Sequence, residues 1–334
     1  MKKTQRRKRR KNEEIIMGKI QINILSHHKV REPFFNFVYY YLVKIKDENK
    51  NLIKIVFHTS YDSPFYTNMS KLLNDNGIES SIMNFGPNYM VKVKNCIESD
   101  YEYSCSMDDD ILINNYLWDY MIENIDILKD EKNIFLAPLI SNGIPGTDYF
   151  INDFMNEEEK LTMNNLFKNT NIPSMWGANY SMLNNHTINA REWYPDNFYD
   201  EVSRINHFYK GIHPIRISLE SHMKMAEIVM KNFDKIDQKS NYELMFVKRP
   251  YFCNSFYFIK TQTWKNIIHD KSLICDGFDE VPLNMYKDRN NQDMVFVKNG
   301  FCIHMAYNTI GQGQGIVQNY YMSELKKIKI FDGE

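Results

Sequence analysis

Short β-branched runs, separated by helical stretches and joined by tight connections, decide what the first half of this chain can become. Lys19 to Leu25 (KIQINIL) alternates and reads as a first strand. It ends in Ser26-His27-His28, and Arg31-Glu32-Pro33 opens a helix to about Leu42. Leu52 to Phe57 (LIKIVF) is a second, buried strand closed by the polar turn His58 to Pro64. A helix to about Asn74 follows, which Asp75-Asn76-Gly77 terminates. Ser80 to Phe85 is a third strand and Tyr89 to Glu98 a helix, and Tyr101 to Met107 delivers the chain into Asp108-Asp109-Asp110. Strands and helices in alternation build an α/β fold, a parallel sheet covered on both faces. Such sheets bind ligands beyond the carboxyl ends of their strands. Ser26, His58 to Asp62 and the aspartate triplet all fall there.

A helix through Trp118 to Leu128 and a strand from Asn133 to Leu139 (NIFLAPL) carry the pattern on to Gly146. Residues 147–245, rich in Asn, Tyr, Trp and Met, break it and read as an insertion or accessory subdomain, with its clearest helix at Ile217 to Asp234. Strand order resumes at Tyr251 to Lys260, followed by a helix near Thr263 to His269, a turn at Gly277 and a helix after Asn291.

The 41 basic and 42 acidic residues nearly cancel, but eight basic ones (Lys2, Lys3, Arg6, Arg7, Lys8, Arg9, Arg10, Lys11) crowd the start. The remaining 33 against 42 make the body acidic, which argues against a general grip on nucleic acid. Residues 1–16 are expected to form a disordered basic tail. Five scattered cysteines form no C-x-x-C pair and follow no secretory h-region, so reduced thiols in the cytoplasm are expected. The longest apolar stretch near the start, Phe34 to Val43, contains Asn36 and is too short to span a bilayer, so no transmembrane segment is expected.

The triplet is the strongest chemical signal. In an extended segment Asp108 and Asp110 share one side while Asp109 points away. Two carboxylates at a strand end make a hard oxygen site for Mn2+ or Mg2+, of the kind that holds the ion together with substrate phosphates. The flanks, Ser106-Met107 and Ile111-Leu112-Ile113, set it against the core.

A hydrophobic strand ending in three aspartates and then aliphatic residues resembles the Asp-x-Asp motif of glycosyltransferases with the GT-A fold. The second half is similar to family 2-type members. Ser255-Phe256-Tyr257-Phe258-Ile259-Lys260, Trp264 to Ile267, Gly277-Phe278-Asp279-Glu280, Gln292-Asp293 and Asn299-Gly300-Phe301 occur in that family's order and spacing. The resemblance covers about residues 19–145 and 250–305. It departs in two places: His58 stands where the second strand usually ends in an Asp that helps bind the nucleobase, and Gln292-Asp293 stands for Glu-Asp.

The resemblance implies a Rossmann-like mixed sheet flanked by helices, with residues 17–146 as the nucleotide-sugar half and 246–316 as the acceptor half. A C-terminal helix over 317–334 completes it. It implies a metal-dependent, inverting transfer from a nucleotide-diphosphate sugar, a UDP-sugar favoured, to a hydroxyl of a glycan or other acceptor. Ser26, His58, Asp62, Asp108 and Asp109 would contact the donor, and Asp108, Asp110 and His304 would hold Mn2+ or Mg2+. Asp293 would be the catalytic base, in the first turn of a helix capped by Asn290 or Asn291, where the helix dipole favours its ionised form. Asp279 and Glu280 are rival bases on the acceptor side, where Trp176 could stack on a sugar, as could Tyr180, Trp193 and Tyr194. His213 and His222 are weaker ligand candidates. Gly311, Gly313 and Gly315 suit either a lid that orders over the donor or a plain flexible connection. Two rival readings stay open: a nucleotidyltransferase or phosphoesterase using the same triplet, and a degenerate transferase that only binds glycans or partners.

Overall fold

The run Lys19 to Leu25 does become the first strand, and it is buried from end to end on both faces, as a central strand with helices on either side must be. In chain order the first half comprises β1 (Ile20–Ser26), α1 (Glu32–Leu42), β2 (Ile53–Thr59), α2 (Pro64–Asp75) and β3 (Glu79–Asn84). It continues with β4 (Tyr103–Asp108), β5 (Ile111–Leu112), α3 (Asn115–Glu123) and β6 (Asn133–Ile140). The second half adds α4 (Gly146–Phe154), α5 (Glu157–Asn169), β7 (Asn171–Pro173), β8 (Thr187–Asn189), α6 (Leu219–Lys231) and β9 (Glu243–Val247). It closes with β10 (Phe256–Lys260), α7 (Thr261–His269), α8 (Glu280–Arg289), β11 (Asp293–His304) and α9 (Gln314–Leu325). The computed structural model describes residues 19–26, 29–84, 86, 100–143, 145–169, 171–173, 187–189, 215, 218–248, 255–270, 272, 280–305 and 314–331. The basic tail and the helix expected over Tyr89 to Glu98 lie outside them.

Local chemistry explains where the helices begin. Pro64 opens α2, and the Ser63 hydroxyl accepts from the Tyr66 N–H at 3.2 Å. Asn114 caps α3 through Leu117 N–H at 2.8 Å, and Ser218 caps α6 through Ser221 N–H at 3.1 Å. Gly77 follows α2 with a φ of +79°, the left-handed conformation that glycine adopts without strain.

The strands form one mixed sheet in the order β3-β2-β1-β4-β10-β6-β11-β5, with β9 paired to β11 off that path. Strands β3, β2, β1 and β4 are parallel, β10 runs against its neighbours β4 and β6, and β11 is parallel to β6. This is the Rossmann-like mixed sheet flanked by helices that the sequence led us to expect. The core is continuous across it, from Phe35, Phe57 and Tyr66 beside β1 and β2 to Trp118, Phe135 and Phe256 beside β10. Of the region set apart as an insertion, α6 packs on α5 and α9. Its last strand, β9, joins the main sheet antiparallel to β11, so the expected boundary at 245/246 falls within a strand of the sheet.

The expected helix after Asn291 does not form: that segment is the twelve-residue strand β11. Asn291 takes a φ of 50° and turns the chain out of α8, where it had been read as a helix cap. Met294 to Val297 is wholly buried between β6 and β9. Asn299, with a φ of 62°, and Gly300 form an irregularity within the strand between Val297 and Phe301, not the end of a helix.

Candidate metal centre

β4 and β10 run side by side, and β11 returns along β6 to end beside the turn that links β4 to β5. Asp108 is the last residue of β4, and Asp109 and Asp110 make the turn into β5. His304, the last residue of β11, pairs with Ile111, and the Met305 N–H donates to the Asp110 carbonyl at 3.0 Å. His304 Nε2 thereby comes to 3.1 Å from Asp110 Oδ1 and 3.5 Å from Asp108 Oδ2. One ligand atom from each of Asp108, Asp110 and His304 lies within 4.8 Å of the others.

The triplet divides its side chains as expected, through a turn instead of continuous strand. Asp109 faces away from His304 and is wholly buried, accepting from the Tyr66 hydroxyl at 2.6 Å. The buried Arg31 guanidinium lies between the two sides, 3.9 Å from Asp109 Oδ1 and 3.7 Å from Asp110 Oδ2. Burial and the charge of Asp110 push the Asp109 carboxyl up to about 7, against the pull of Arg31 and Tyr66. Burial works the same way on Asp110, but Arg31 and His304 outweigh it and hold Asp110 below the usual carboxylate range.

The donor set fits a divalent cation. Neither oxygen of the wholly buried Asp110 carboxylate has a hydrogen bond of good geometry, although buried polar groups are ordinarily satisfied. Two carboxylates and one imidazole suit Mn2+ well and Mg2+ acceptably. Asp108, the most accessible of the three, is a quarter exposed.

The other expected site residues divide sharply. Ser26 ends β1, wholly buried beside Tyr66 and Asp109. Asp62 is exposed in the loop between β2 and α2. His58 is not available to a donor: it is wholly buried, bonds Asn23 Oδ1 at 2.8 Å, and is pushed down to about 3 by burial, so it stays neutral. Glu280 opens α8; Asp279, Trp176, Tyr180, Trp193, Tyr194, His213, Gly311 and Gly313 lie outside the described residues. Gly315 lies in the first turn of α9, so the third glycine belongs to a helix and not to a free loop. His222 on α6 is buried against Asn142 at 3.2 Å rather than aimed at the metal group.

Asp293 requires the largest correction. It opens β11 opposite Asn133, the first residue of β6, whereas Cys302 lies opposite Ile140, the last. The full length of β11, on the order of 30 Å at the usual rise per residue, separates it from His304. Asp293 thus stands at the amino end of the parallel strands, away from the triplet, and we withdraw it as the base. Asp293→Asn should leave Mn2+ affinity and any transferase turnover within about twofold; a loss of 10²-fold or more, the usual worth of a positioned base, would restore it.

Three residues at the centre were not singled out from the sequence. The sequence marks Arg31 only as the start of a helix. Asn142, in the turn after β6, donates from Nδ2 to the His304 carbonyl at 2.8 Å and accepts the His304 N–H at 3.3 Å. Ser255, just before β10, contacts His304 Nδ1 at 3.2 Å.

No family model matches the chain, and no curated protein is similar to it in sequence. Among solved structures it is similar to GalNAc-T7 with UDP, GalNAc and Mn2+, at 9% identity and a TM-score of 0.46, over 93% of this chain and 48% of that one. A cytidylyltransferase from Leptospira borgpetersenii serovar Hardjo-bovis (strain JB197) matches 36% of the chain, 53% of its own length, at 12% identity and a TM-score of 0.27. S. aureus TarS 1-349 in complex with UDP-GlcNAc matches the same share, and 34% of its own length, at 11% identity and a TM-score of 0.27. The chain thus spans about half or less of the length of each. At such identities the function has to be argued from the chain's own residues. No helix among the described residues is long and apolar enough to cross a membrane.

Proposed function

We propose that this protein is a metal-dependent glycosyltransferase that moves a sugar from a nucleotide-diphosphate donor to a hydroxyl of a glycan or other acceptor. The convergence of Asp108, Asp110 and His304 at the carboxyl end of the parallel strands carries the reading. That edge is where such sheets place nucleotide ligands, and a carboxylate pair with an open member suits an ion shared with phosphates. A bound Mn2+ or Mg2+ would supply the positive charge that stabilises a departing diphosphate.

The chain's own residues prepare that edge. Arg31 and Tyr66 hold Asp109 inward, which leaves Asp108 and Asp110 on the side of His304. Arg31 also offsets part of the charge of two adjacent buried carboxylates, which would otherwise repel at close range. These residues serve the donor half, because Asp293, expected to deprotonate the acceptor, lies at the other end of the sheet.

A nucleotidyltransferase or phosphoesterase reading calls for further carboxylates or histidines converging on a second ion. Among the described residues only one such group forms, which favours the single-ion transferase. A thermal-shift screen of nucleotides and nucleotide sugars, UDP-sugars first, tests the proposal. A nucleotide-diphosphate sugar should raise Tm with Mn2+ present and not with EDTA, because a ligand that binds only the folded state stabilises it. Stabilisation by glycans alone, or by nucleotides equally well in EDTA, would favour the binding-protein alternative.

A further inference from the structure

Ser255 touches two of the three candidate ligands at once. Its backbone carbonyl accepts the Asp108 N–H at 3.0 Å, and its hydroxyl lies 3.2 Å from His304 Nδ1. It sits immediately before β10, whose first residue, Phe256, pairs with Met107 across the antiparallel ladder with β4. Its place relative to Asp108 is therefore fixed by the sheet itself. We infer, resting on the metal reading above, that Ser255 is a positioning residue that sets the ring of His304 for the ion.

The His304 backbone is held independently of Ser255. Asn142 engages both its N–H and its carbonyl, and the pairing of β11 with β5 holds it from the other side. Only the two side-chain torsions remain, and the contact at Nδ1 restrains them. An imidazole that gives the Nε2 electron pair to a cation keeps its proton on Nδ1, and that N–H then donates a hydrogen bond to Ser255 Oγ. The same contact thus selects both the tautomer and the ring orientation that direct Nε2 toward Asp108 and Asp110. Ser255 and His304 are both buried, so water does not readily substitute for the hydroxyl.

The test is Mn2+ affinity, read on the full chain from the EPR signal of free Mn2+, with melting curves recorded alongside. Wild type should bind one Mn2+. Ser255→Ala should keep a cooperative melting transition and bind Mn2+ about 10- to 100-fold more weakly, the usual worth of an outer partner to a ligating histidine. Ser255→Thr, which keeps the hydroxyl, should recover most of that loss. If the alanine variant does not fold, Ser255→Cys replaces it, since sulfur fills the space with a weak acceptor, and the same loss is expected. Wild-type affinity in the alanine or cysteine variant, or an equal loss in the threonine variant, would overturn the role of Ser255 while leaving the metal reading standing. Absence of Mn2+ binding by wild type would instead remove the metal reading, and this inference with it.

Discussion

Asp110→Asn is expected to abolish the stabilisation that Mn2+ and a nucleotide diphosphate confer together, without unfolding the metal-free protein. The asparagine keeps the shape and removes the charge. Asp109 and Asp110, both wholly buried, lie beside Arg31, and His304 lies beside Asp110. Because Arg31 and His304 hold the Asp110 carboxyl below the usual range, its ionised form contributes to stability, so the metal-free variant should still fold, with Asp109 paired to Arg31, but melt at or below the wild-type temperature. Its Mn2+ affinity should fall by more than about 100-fold, beyond what an outer partner contributes, because Asp110 is the best-placed anionic ligand. Asp109→Asn should weaken Mn2+ far less, since that side chain is directed to Tyr66. Calorimetric melting with and without Mn2+ reads both effects, and an undisturbed Mn2+ shift in Asp110→Asn would refute the ligand assignment.

The second large effect is one of stability. Gly146 opens α4 where the chain turns back against the end of β6, and an added Cβ there would collide with the Ile140 carbonyl, approaching its carbon to 2.7 Å. The obstacle is backbone, and that backbone is fixed: the Ser141 N–H donates to the Cys302 carbonyl and the Gly143 N–H to Ile140. Gly146→Ala should cost about 3 kcal/mol or more, the upper range for overpacking, and lower Tm by roughly 4 °C or more. The same turn carries Asn142, so Mn2+ affinity should fall with stability. Gly315→Ala makes the contrast, because a Cβ there meets nothing within 4 Å and Tm should hold or rise slightly. Equal melting temperatures for Gly146→Ala and wild type would show that the turn relaxes.

Much of the first half was legible because its runs are β-branched and bounded by polar turns. β1, β2 and β6 fall within two residues of their expected bounds, and the aspartate triplet ends β4 as expected. The second half misled for a specific reason. Met294 to Val297 is an uninterrupted apolar run, and a run of that length has no period to separate a buried strand from a buried helix. Asn290-Asn291 can begin a helix or end one, and Asn299-Gly300 can close a helix or kink a strand. With a family pattern favouring the helix, the whole segment was turned the wrong way, and Asp293 went with it. His58 misled differently: it stands near the carboxyl end of β2, but its side chain is on the buried side with Asn23. Arg31, Asn142 and Ser255 could not have been found locally. Their contacts reach across 49 to 162 residues of chain, and each depends on which strands become neighbours. His304 was legible only by resemblance, and the length of β11 is what carries it to the triplet.

An ion held for a nucleotide-diphosphate donor must couple its own binding to that of the nucleotide at one centre. EPR titration of Mn2+ into the full chain, alone and with saturating UDP, measures that linkage. One Mn2+ per chain is expected, bound more tightly with UDP than without, and the increment should vanish in Asp110→Asn. Mn2+ binding that ignores the nucleotide, or an increment that survives in Asp110→Asn, would contradict the claim that Asp108, Asp110 and His304 hold a metal ion for a nucleotide-diphosphate donor.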